Sequence, residues 1–258
     1  IAAFIEAVIL QPTLYWKNAK AQGLPFTMDV RKLYRGTGAA IFSECQQMGL
    51  QFLFTGMTKK ILAGHAGHVV EGEHVSMRNE FAAAGIGGLL SSVFTTPIEL
   101  LMIQQQKYGG SLVGTCKGVV QKYGVTNHGM MRGLVGAASR DAIYVSGMLG
   151  VTPVATEYIL RHTDATPPMA SLYASLLGGV AAAVPSHPLD VIKTCMQGDL
   201  ERGTYTTFTE TARKLWSAGG VRRLFSGCMW RTVNVTATVY VANECRLRLS
   251  PFLSAVPL

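Results

Sequence analysis

Long stretches without any charged residue constrain the fold of this chain more than any other feature. Residues 165–189 carry no Asp, Glu, Lys or Arg over 25 positions, and residues 81–98 carry none over 18. A helix that crosses a bilayer needs about 20 mostly apolar residues. Because lipid offers the backbone no hydrogen-bond partner, such runs must be helical. The sequence therefore predicts an all-α membrane protein.

The composition supports this class and argues against others. Only 15% of the 258 residues are charged, whereas soluble domains carry about 25%. A net charge of +8 would suggest nucleic acid in a soluble protein. Here the cations lie between apolar runs, which favours anionic lipid headgroups as their partners. We expect no nucleic-acid partner, and no motif in the sequence predicts an enzyme, a cofactor or a metal site.

Proline and glycine landmarks divide the chain into three parts. A proline follows an apolar run three times, and 24 to 39 residues later a glycine precedes a new apolar segment. The prolines are Pro12, Pro97 and Pro188, and the glycines are Gly36, Gly133 and Gly227. Internal repeats of this kind indicate a repeated structural unit. Each unit is predicted to be a proline-kinked helix, a surface segment and a second helix.

The landmarks predict six transmembrane helices in three pseudo-symmetric repeats around a central cavity, within one membrane domain. The repeats are 1–64, 75–162 and 167–258. The spans are 1–22, 37–62, 78–107, 131–161, 169–198 and 227–249, with short surface helices near 115–123 and 206–217. Repeat 1 is shortened, so we expect it to lack a surface helix. The chain begins at Ile1 without Met, so we expect its native N-terminus to be missing.

Charged residues recur at fixed distances from the prolines. An acid two residues after Pro188 (Asp190) and a base five residues after it (Lys193) are three positions apart, so they share one helix face. Charges inside a membrane are costly, which predicts that this face lines a protein interior or a watery cavity. Three kinked helices could bring such residues together as a gate.

This repeated motif resembles that of the mitochondrial carrier family, over essentially the whole chain. The resemblance implies matrix surface helices, the mitochondrial inner membrane as location, and a matrix gate in which the acid of one proline helix pairs with the base of the next. Two pairs are complete, Glu99 with Lys193 and Asp190 with Lys17. The third position holds Leu14 and Met102, so both charges are lost together. By the same resemblance Gln106 and Gln197 brace the gate.

A second gate, which the family carries on its other three helices, is nearly absent from the sequence. Gly56 stands at the acid position before Lys59, and Pro153 and Thr156 occupy the charged positions of repeat 2. Glu244 is present in repeat 3, but its spacing to Arg246 and Arg248 is irregular. We therefore expect a cavity that is open on the side of this degraded gate.

By the same resemblance, substrate contacts are expected near mid-membrane on the helices that follow the glycines, and counting seven residues from each glycine locates them. The count gives Ser43, Arg140 and Asn234, and Asp141 follows Arg140 within an apolar helix. By resemblance, Arg followed by an acid is similar to carriers of amino acids and carnitine-like zwitterions. The alternative is an internal ion pair that fixes this helix against a neighbour.

Lipid contacts are the last set that the resemblance implies. Cardiolipin is expected at the helix starts that contain Arg35, Gly36, Arg132, Gly133 and Gly227. A helix N-terminus offers free N–H groups to a phosphate. The alternative for both arginines is simple interfacial snorkelling. A histidine-containing segment at 64–74 is predicted to be a solvated loop and not a zinc or copper site.

Two functions follow from these patterns. The first is a secondary transporter that moves a small zwitterionic or carboxylate metabolite by alternating access. The second is a carrier-like chain that no longer transports and serves as a structural subunit of a larger inner-membrane complex, for example a respiratory one. The degraded gate and the shortened first repeat support the second reading.

Overall fold

The computed structural model describes residues 2–65, 77–126 and 128–253. These residues form ten α-helices and one π-helical segment, and no β-strand. The helices are α1 (Ala2–Gln22), α2 (Val30–Leu33), α3 (Thr37–His65), α4 (Met77–Tyr108), α5 (Leu112–Tyr123), α6 (Leu134–Val145), α7 (Thr152–His162), α8 (Pro167–Gly198), α9 (Phe208–Leu224) and α10 (Cys228–Leu253). The π segment, Ser146–Val151, joins α6 to α7.

Six long helices make up the bundle, so the predicted all-α fold class is confirmed. Within the described residues, three stretches are long and apolar enough to cross a membrane, namely Phe81–Tyr108, Leu134–His162 and Pro167–Gly198. The other long helices are α1, α3 and α10, with 21, 29 and 26 residues. Contacts join α1 to α3, α3 to α4, α4 to α6, α6 to α8, α8 to α10 and α10 back to α1. The six helices therefore close into a ring.

Two local features differ from the sequence prediction. The helix predicted over 131–161 begins at Leu134 and contains the π segment, where Ser146 Oγ donates to the Ala142 carbonyl over 2.8 Å. Gly147 in this segment packs so closely on α8 that an added Cβ would lie 2.6 Å from Ala182 Cα. A π segment inserts one extra residue into a helix turn, and a periodicity argument has no signal for it.

The first repeat keeps one helical turn where a surface helix was expected to be missing altogether. Asp29 caps this turn, α2, by accepting a hydrogen bond from the Arg31 amide over 3.0 Å. The segment before it is fastened by Trp16, whose Nε1 donates to the Thr27 carbonyl over 2.9 Å. Trp16 also lies against Phe26 and Trp230, at ring-centroid distances of 5.3 and 4.5 Å. Aromatic contacts thus hold the short segment.

The three glycines make the same contact in three places. We name α1, α4 and α8 the proline helices, and α3, α6 and α10 the glycine helices. A Cβ on Gly36 would lie 3.2 Å from the Met102 carbonyl, one on Gly133 would lie 3.5 Å from the Lys193 carbonyl, and one on Gly227 would lie 3.0 Å from the Lys17 carbonyl. Met102, Lys193 and Lys17 each stand five residues after a proline. Each glycine helix therefore starts against the gate position of another repeat.

A second contact recurs within each repeat, between the residue before the proline and the residue before the glycine. Gln11 Nε2 donates to the Arg35 carbonyl over 3.3 Å, and His187 Nε2 lies 3.1 Å from the Ser226 carbonyl. In repeat 2 the link is indirect, because Gln197 Nε2 donates to the carbonyls of both Thr96 and Arg132. The division into three repeats stays a proposal, and these recurring contacts support it.

Replacing Gly227 by Ala should destabilise the fold. Its φ is +88°, in the left-handed region that costs a residue with a Cβ about 1–2 kcal/mol, and the added carbon would also press on the Lys17 carbonyl. We expect a lower unfolding temperature for Gly227→Ala in detergent. Gly49→Ala in α3 is the control, because nothing lies within 4 Å of its added Cβ. Equal behaviour of the two variants would contradict the role given to this contact.

Candidate functional site

Both ion pairs expected at the gate are formed in the structure. Lys17 Nζ lies 3.0 Å from Asp190 Oδ2, and Lys193 Nζ lies 2.6 Å from Glu99 Oε2. All four side chains are buried. The pairs connect α1 to α8 and α8 to α4, so they tie the three proline helices together. Their action as a gate stays a prediction.

The position of the lost third pair is filled by apolar side chains. Leu14 and Met102 pack into one buried cluster with Ala39, Ala40 and Ile103. Replacing both members of a buried ion pair by apolar groups is often neutral or stabilising, whereas removing one leaves an uncompensated charge. Because both charges are lost together, apolar side chains pack at the position where the third ion pair would join α1 to α4.

Two arginines from the glycine helices enter the gate. Arg140 Nη2 lies 2.9 Å from Glu99 Oε1 and 2.6 Å from Asp141 Oδ1, and its Nη1 lies 3.3 Å from Asp190 Oδ1. The count from Gly133 predicts Arg140 at the substrate and not in the gate. The observed pairs are those of its alternative role, an ion pair that fixes its helix against neighbours, and a contact of Arg140 with a substrate stays a prediction.

Sequence reasoning missed the second arginine, Arg231. Its Nη1 lies 2.9 Å from Asp190 Oδ2, and its Nη2 donates to Ser186 Oγ over 2.7 Å. The count of seven from Gly227 passed over it, because it stands only four residues after that glycine. The available signal was a lone cation in an apolar helix, which must face a partner or a cavity.

The predicted bracing glutamines are both buried next to the gate. Gln106 Oε1 accepts a hydrogen bond from Asn18 Nδ2 over 2.7 Å and so connects α4 to α1. Gln197 Nε2 donates to the Arg132 carbonyl over 3.1 Å and so connects α8 to the start of α6. Each amide thus joins two elements below the ion pairs, and the bracing role stays a prediction.

A small polar cavity of about 60 Å3 lies next to the gate residues. The predicted contacts Ser43, Arg140 and Asn234 line it. Asp141 is not in the wall. It is completely buried between Arg140 and Gln47, whose Nε2 lies 3.5 Å from Asp141 Oδ1. The side chain of Asp141 is turned towards its protein neighbours and away from the cavity, and its contact with a substrate stays a prediction.

The cavity extends towards the side of the degraded second gate. Its wall runs from Lys17, Glu99 and Lys193 along the glycine helices to residues one turn further on. Those residues are Gln47, Tyr144 and Thr238. At the degraded gate itself, Thr156 Oγ1 donates to the Thr152 carbonyl of its own helix. The side chains of residues 242–253 lie outside the described part, so Glu244, Arg246 and Arg248 are not assessed.

The predicted lipid role of Arg132 needs correction. Its side chain is only 1% exposed, and its Nε donates to the Met196 carbonyl over 2.6 Å. Its Nη2 donates to the Tyr205 carbonyl. Burial and the nearby Arg202 lower the pKa of Arg132, while Asp199 raises it. Arg132 thus caps the C-terminal end of α8 and is not available to a headgroup, whereas Arg35 is exposed.

The predicted lipid-site glycines have a conformational role in the structure. Gly36, Gly133 and Gly227 have φ values of +76°, +82° and +88°, which favour glycine at the start of each glycine helix. Whether they also let a phosphate approach stays a prediction. Of the histidine segment 64–74, residues 66–74 lie outside the described residues.

Asp199 organises the loop after α8. Burial raises the pKa of its carboxyl, but hydrogen bonds from the Tyr205, Thr204 and Gly203 amides outweigh this effect and hold the pKa below its ordinary value. The carboxylate therefore accepts three backbone donors in its charged form. The loop thereby places the Tyr205 carbonyl where it accepts a hydrogen bond from Arg132 Nη2.

Comparison with known proteins places the same features in a family. The family model described as mitochondrial carrier protein matches residues 164–242. The chain is 24% identical over 164 residues to a probable mitochondrial 2-oxoglutarate/malate carrier protein of Dictyostelium discoideum, which covers 59% of this chain and 52% of the relative. It is 26% identical over 183 residues to mitochondrial thiamine pyrophosphate carrier 1 of Eremothecium gossypii, with 66% and 55% covered.

A longer match joins the chain to a mitochondrial arginine transporter of Arabidopsis thaliana. The identity is 28% over 230 residues, which covers 84% of this chain and 73% of the relative. By contrast, the match spans only about half the length of the first two relatives.

Six long helices form a ring around a charged cavity, and ion pairs next to that cavity join the three proline helices. The chain is similar to proteins of the mitochondrial carrier family, whose model matches its third repeat region, residues 164–242. Its sequence departs from the pattern that it resembles at the third ion pair, in the predicted first repeat and at the predicted second gate.

Removing the charge of Asp190 should strongly destabilise the protein. Asp190→Asn leaves Lys17, Arg140 and Arg231 without this carboxylate in a buried position. Breaking a buried pair in this way costs about 3–5 kcal/mol. We expect a clear drop in the unfolding temperature of the purified protein in detergent.

The control for this variant is Glu201→Gln. Glu201 pairs with Lys122 at 2.8 Å, but the two side chains are 73% and 62% exposed. Solvent screens such a pair, so no measurable change is expected. A loss for Asp190→Asn no larger than that for Glu201→Gln would show that burial does not set the strength of this network.

Proposed function

We propose that this protein is a secondary transporter of the mitochondrial inner membrane that moves a small zwitterionic or carboxylate metabolite by alternating access. The relatives described above are named as carriers or transporters of small metabolites. The bundle supports the same activity, because a polar cavity ends at a layer of ion pairs.

The position of Arg140 carries the proposal. Its side chain lines the cavity, yet it also binds Glu99 of α4 and Asp190 of α8. A substrate carboxylate that enters the cavity competes with these two carboxylates for the same guanidinium. Binding of substrate therefore weakens the contacts of α6 with two proline helices. A ligand shifts a conformational equilibrium only by such a difference in affinity between the states.

The remaining wall suits a small polar ligand. Ser43, Asn234 and Thr238 line the cavity together with Gln47. Asn234 Nδ2 donates to Thr13 Oγ1 over 3.1 Å and so lies within reach of α1. These groups supply hydrogen bonds without adding charge, and Arg140 supplies the charge for the carboxylate.

Anionic lipid is proposed as a second partner, with cardiolipin as the species that the resemblance implies. Arg35 is exposed at the start of α3, next to Gly36. The start of α10 at Gly227 has the same backbone shape but no arginine beside it. Because Arg132 is buried, we place the lipid cation at Arg35 alone among the predicted pair.

Reconstitution into liposomes tests the proposal. The purified protein is expected to take up radiolabelled amino acids or carboxylates against an unlabelled internal pool. Arg140→Lys keeps the charge but loses the planar fork, so we expect uptake to fall about tenfold or more while the protein stays folded. Arg161→Lys is the control, because Arg161 is 70% exposed and pairs only with Glu157 on its own helix among the contacts described.

The outcome that contradicts transport is a folded wild-type protein with no uptake above background across a broad panel. Together with stoichiometric co-purification of other membrane subunits, that result would favour the structural-subunit reading. The relatives named above give that reading no support.

A further inference from the structure

Cations from other parts of the chain cap the C-terminal end of α8. Lys107 Nζ of α4 donates to the Gly198 carbonyl over 2.7 Å, close to the Met196 carbonyl that accepts from Arg132. The last carbonyls of a helix have no partner within that helix, and they form the negative end of its dipole. A cation at this place satisfies a carbonyl and the dipole together. Lys107 therefore fastens α4 to the end of α8.

The C-terminal end of α1 is capped in the same manner. Arg223 Nη2 donates to the Ala21 carbonyl over 2.8 Å, and Ser226 Oγ donates to the Lys20 carbonyl over 3.1 Å. Arg223 lies in α9, which shares a buried apolar cluster with α8. The Ala21 carbonyl also accepts a hydrogen bond from Cys195 Sγ of α8 over 3.1 Å. Contacts from α8 and α9 therefore hold the end of α1.

The caps join the same helices as the two ion pairs. Lys107 connects α4 to α8, as the Glu99 pair does, and Arg223 connects α9 to α1, close to the Asp190 pair between α8 and α1. Between α1 and α4 the third ion pair is lost, and in the part of the chain that the structure describes no cation of either helix caps the end of the other. Their contact consists of a buried apolar cluster and one hydrogen bond between amide side chains. Caps and ion pairs therefore form two layers across the same two contacts.

We propose that Lys107 is a further gate residue, whose cap on α8 holds the ends of the proline helices together beyond the layer of ion pairs. This inference rests on the proposed transport by alternating access, in which these ends must separate when the gate opens. The cap runs from one proline helix to another, so it exists only while the two ends are together. Loss of the cap therefore shifts the conformational equilibrium towards the open state.

The native thiol of Cys195 serves as a reporter of this opening. Its side chain is only 1% exposed, and it lies between α8 and the end of α1. The rate at which a maleimide labels Cys195 is measured in the purified protein, well below its unfolding temperature. In this background serine replaces the other four cysteines, Cys45, Cys116, Cys228 and Cys245. A thiol buried in this way is labelled when the helix ends separate.

Lys107→Met should raise the labelling rate about fivefold, the effect of one cation at a helix C-terminus. Lys107→Arg keeps the cation and should restore the wild-type rate. Lys107 caps α8 from α4, whereas Cys195 contacts the end of α1. Local loosening at Gly198 therefore leaves Cys195 covered, and faster labelling reports opening of the gate as a whole.

The matched control is Lys214→Met. Lys214 Nζ also donates to a backbone carbonyl, that of Thr204, over 3.1 Å, but both residues belong to the segment that follows α8. This variant should label at the wild-type rate. A lower unfolding temperature of Lys107→Met without faster labelling would show a merely structural role and overturn the inference. Equal rates for Lys107→Met and Lys214→Met, or no restoration in Lys107→Arg, would overturn it as well.

The gate role of Lys107 and the proposed transport fail in distinguishable ways. Uptake by the wild type, with unchanged labelling of Lys107→Met, contradicts the gate role and leaves transport standing. Faster labelling of Lys107→Met in a protein without any uptake supports the role of the cap in closure and contradicts transport. Neither uptake nor a change in labelling contradicts both.

Discussion

The buried carboxylate of Asp190 is the interaction on which the rest of this structure depends. It lies on α8 and meets Lys17 from α1, Arg140 from α6 and Arg231 from α10. Four of the six long helices therefore meet at one side chain. An isolated charge at such a place would be very costly, so the cations stabilise the buried carboxylate, and the carboxylate offsets the repulsion among them. Glu99 repeats the arrangement on a smaller scale, with Lys193 and Arg140.

The glycines that precede the three glycine helices explain how the cations reach Asp190. Each glycine has a positive φ, and each brings the first turn of a glycine helix against the backbone of a proline helix. The contacted residues include Lys17 and Lys193, which carry the gate cations. Because the backbones approach closely at these glycines, arginines further along the glycine helices reach the buried carboxylates. Arg231, one turn after Gly227, reaches Asp190, and Arg140, two turns after Gly133, reaches both Asp190 and Glu99. The glycine turns at the helix starts therefore help to position the charged side chains of the network.

Much of this arrangement could be predicted from the sequence, because it depends on local spacing. The offsets from Pro12, Pro97 and Pro188 predicted the charged positions, the family resemblance predicted how they pair, and the charge-free runs predicted the membrane class. The parts that were missed depend on which way a helix faces. Arg231 stands outside the fixed count from Gly227, Arg132 and Asp141 are turned inwards, and the π segment changes the facing of Gly147. Periodicity cannot detect a local change in register. It also cannot distinguish a cation that pairs with carboxylates of the protein from a cation that binds a ligand.

The distribution of contacts also sets the order in which the proposed gate can open. A substrate carboxylate that binds Arg140 competes with Glu99 and Asp190, which weakens the attachment of α6 to α4 and α8. The lysine pairs do not involve Arg140, so α1, α4 and α8 remain joined to one another. Asp190 also keeps Arg231, which is held in place by Ser186. In the proposed mechanism, occupancy of the cavity therefore loosens one glycine helix first. Separation of the proline helices needs a second step, in which Lys17 and Lys193 leave their carboxylates.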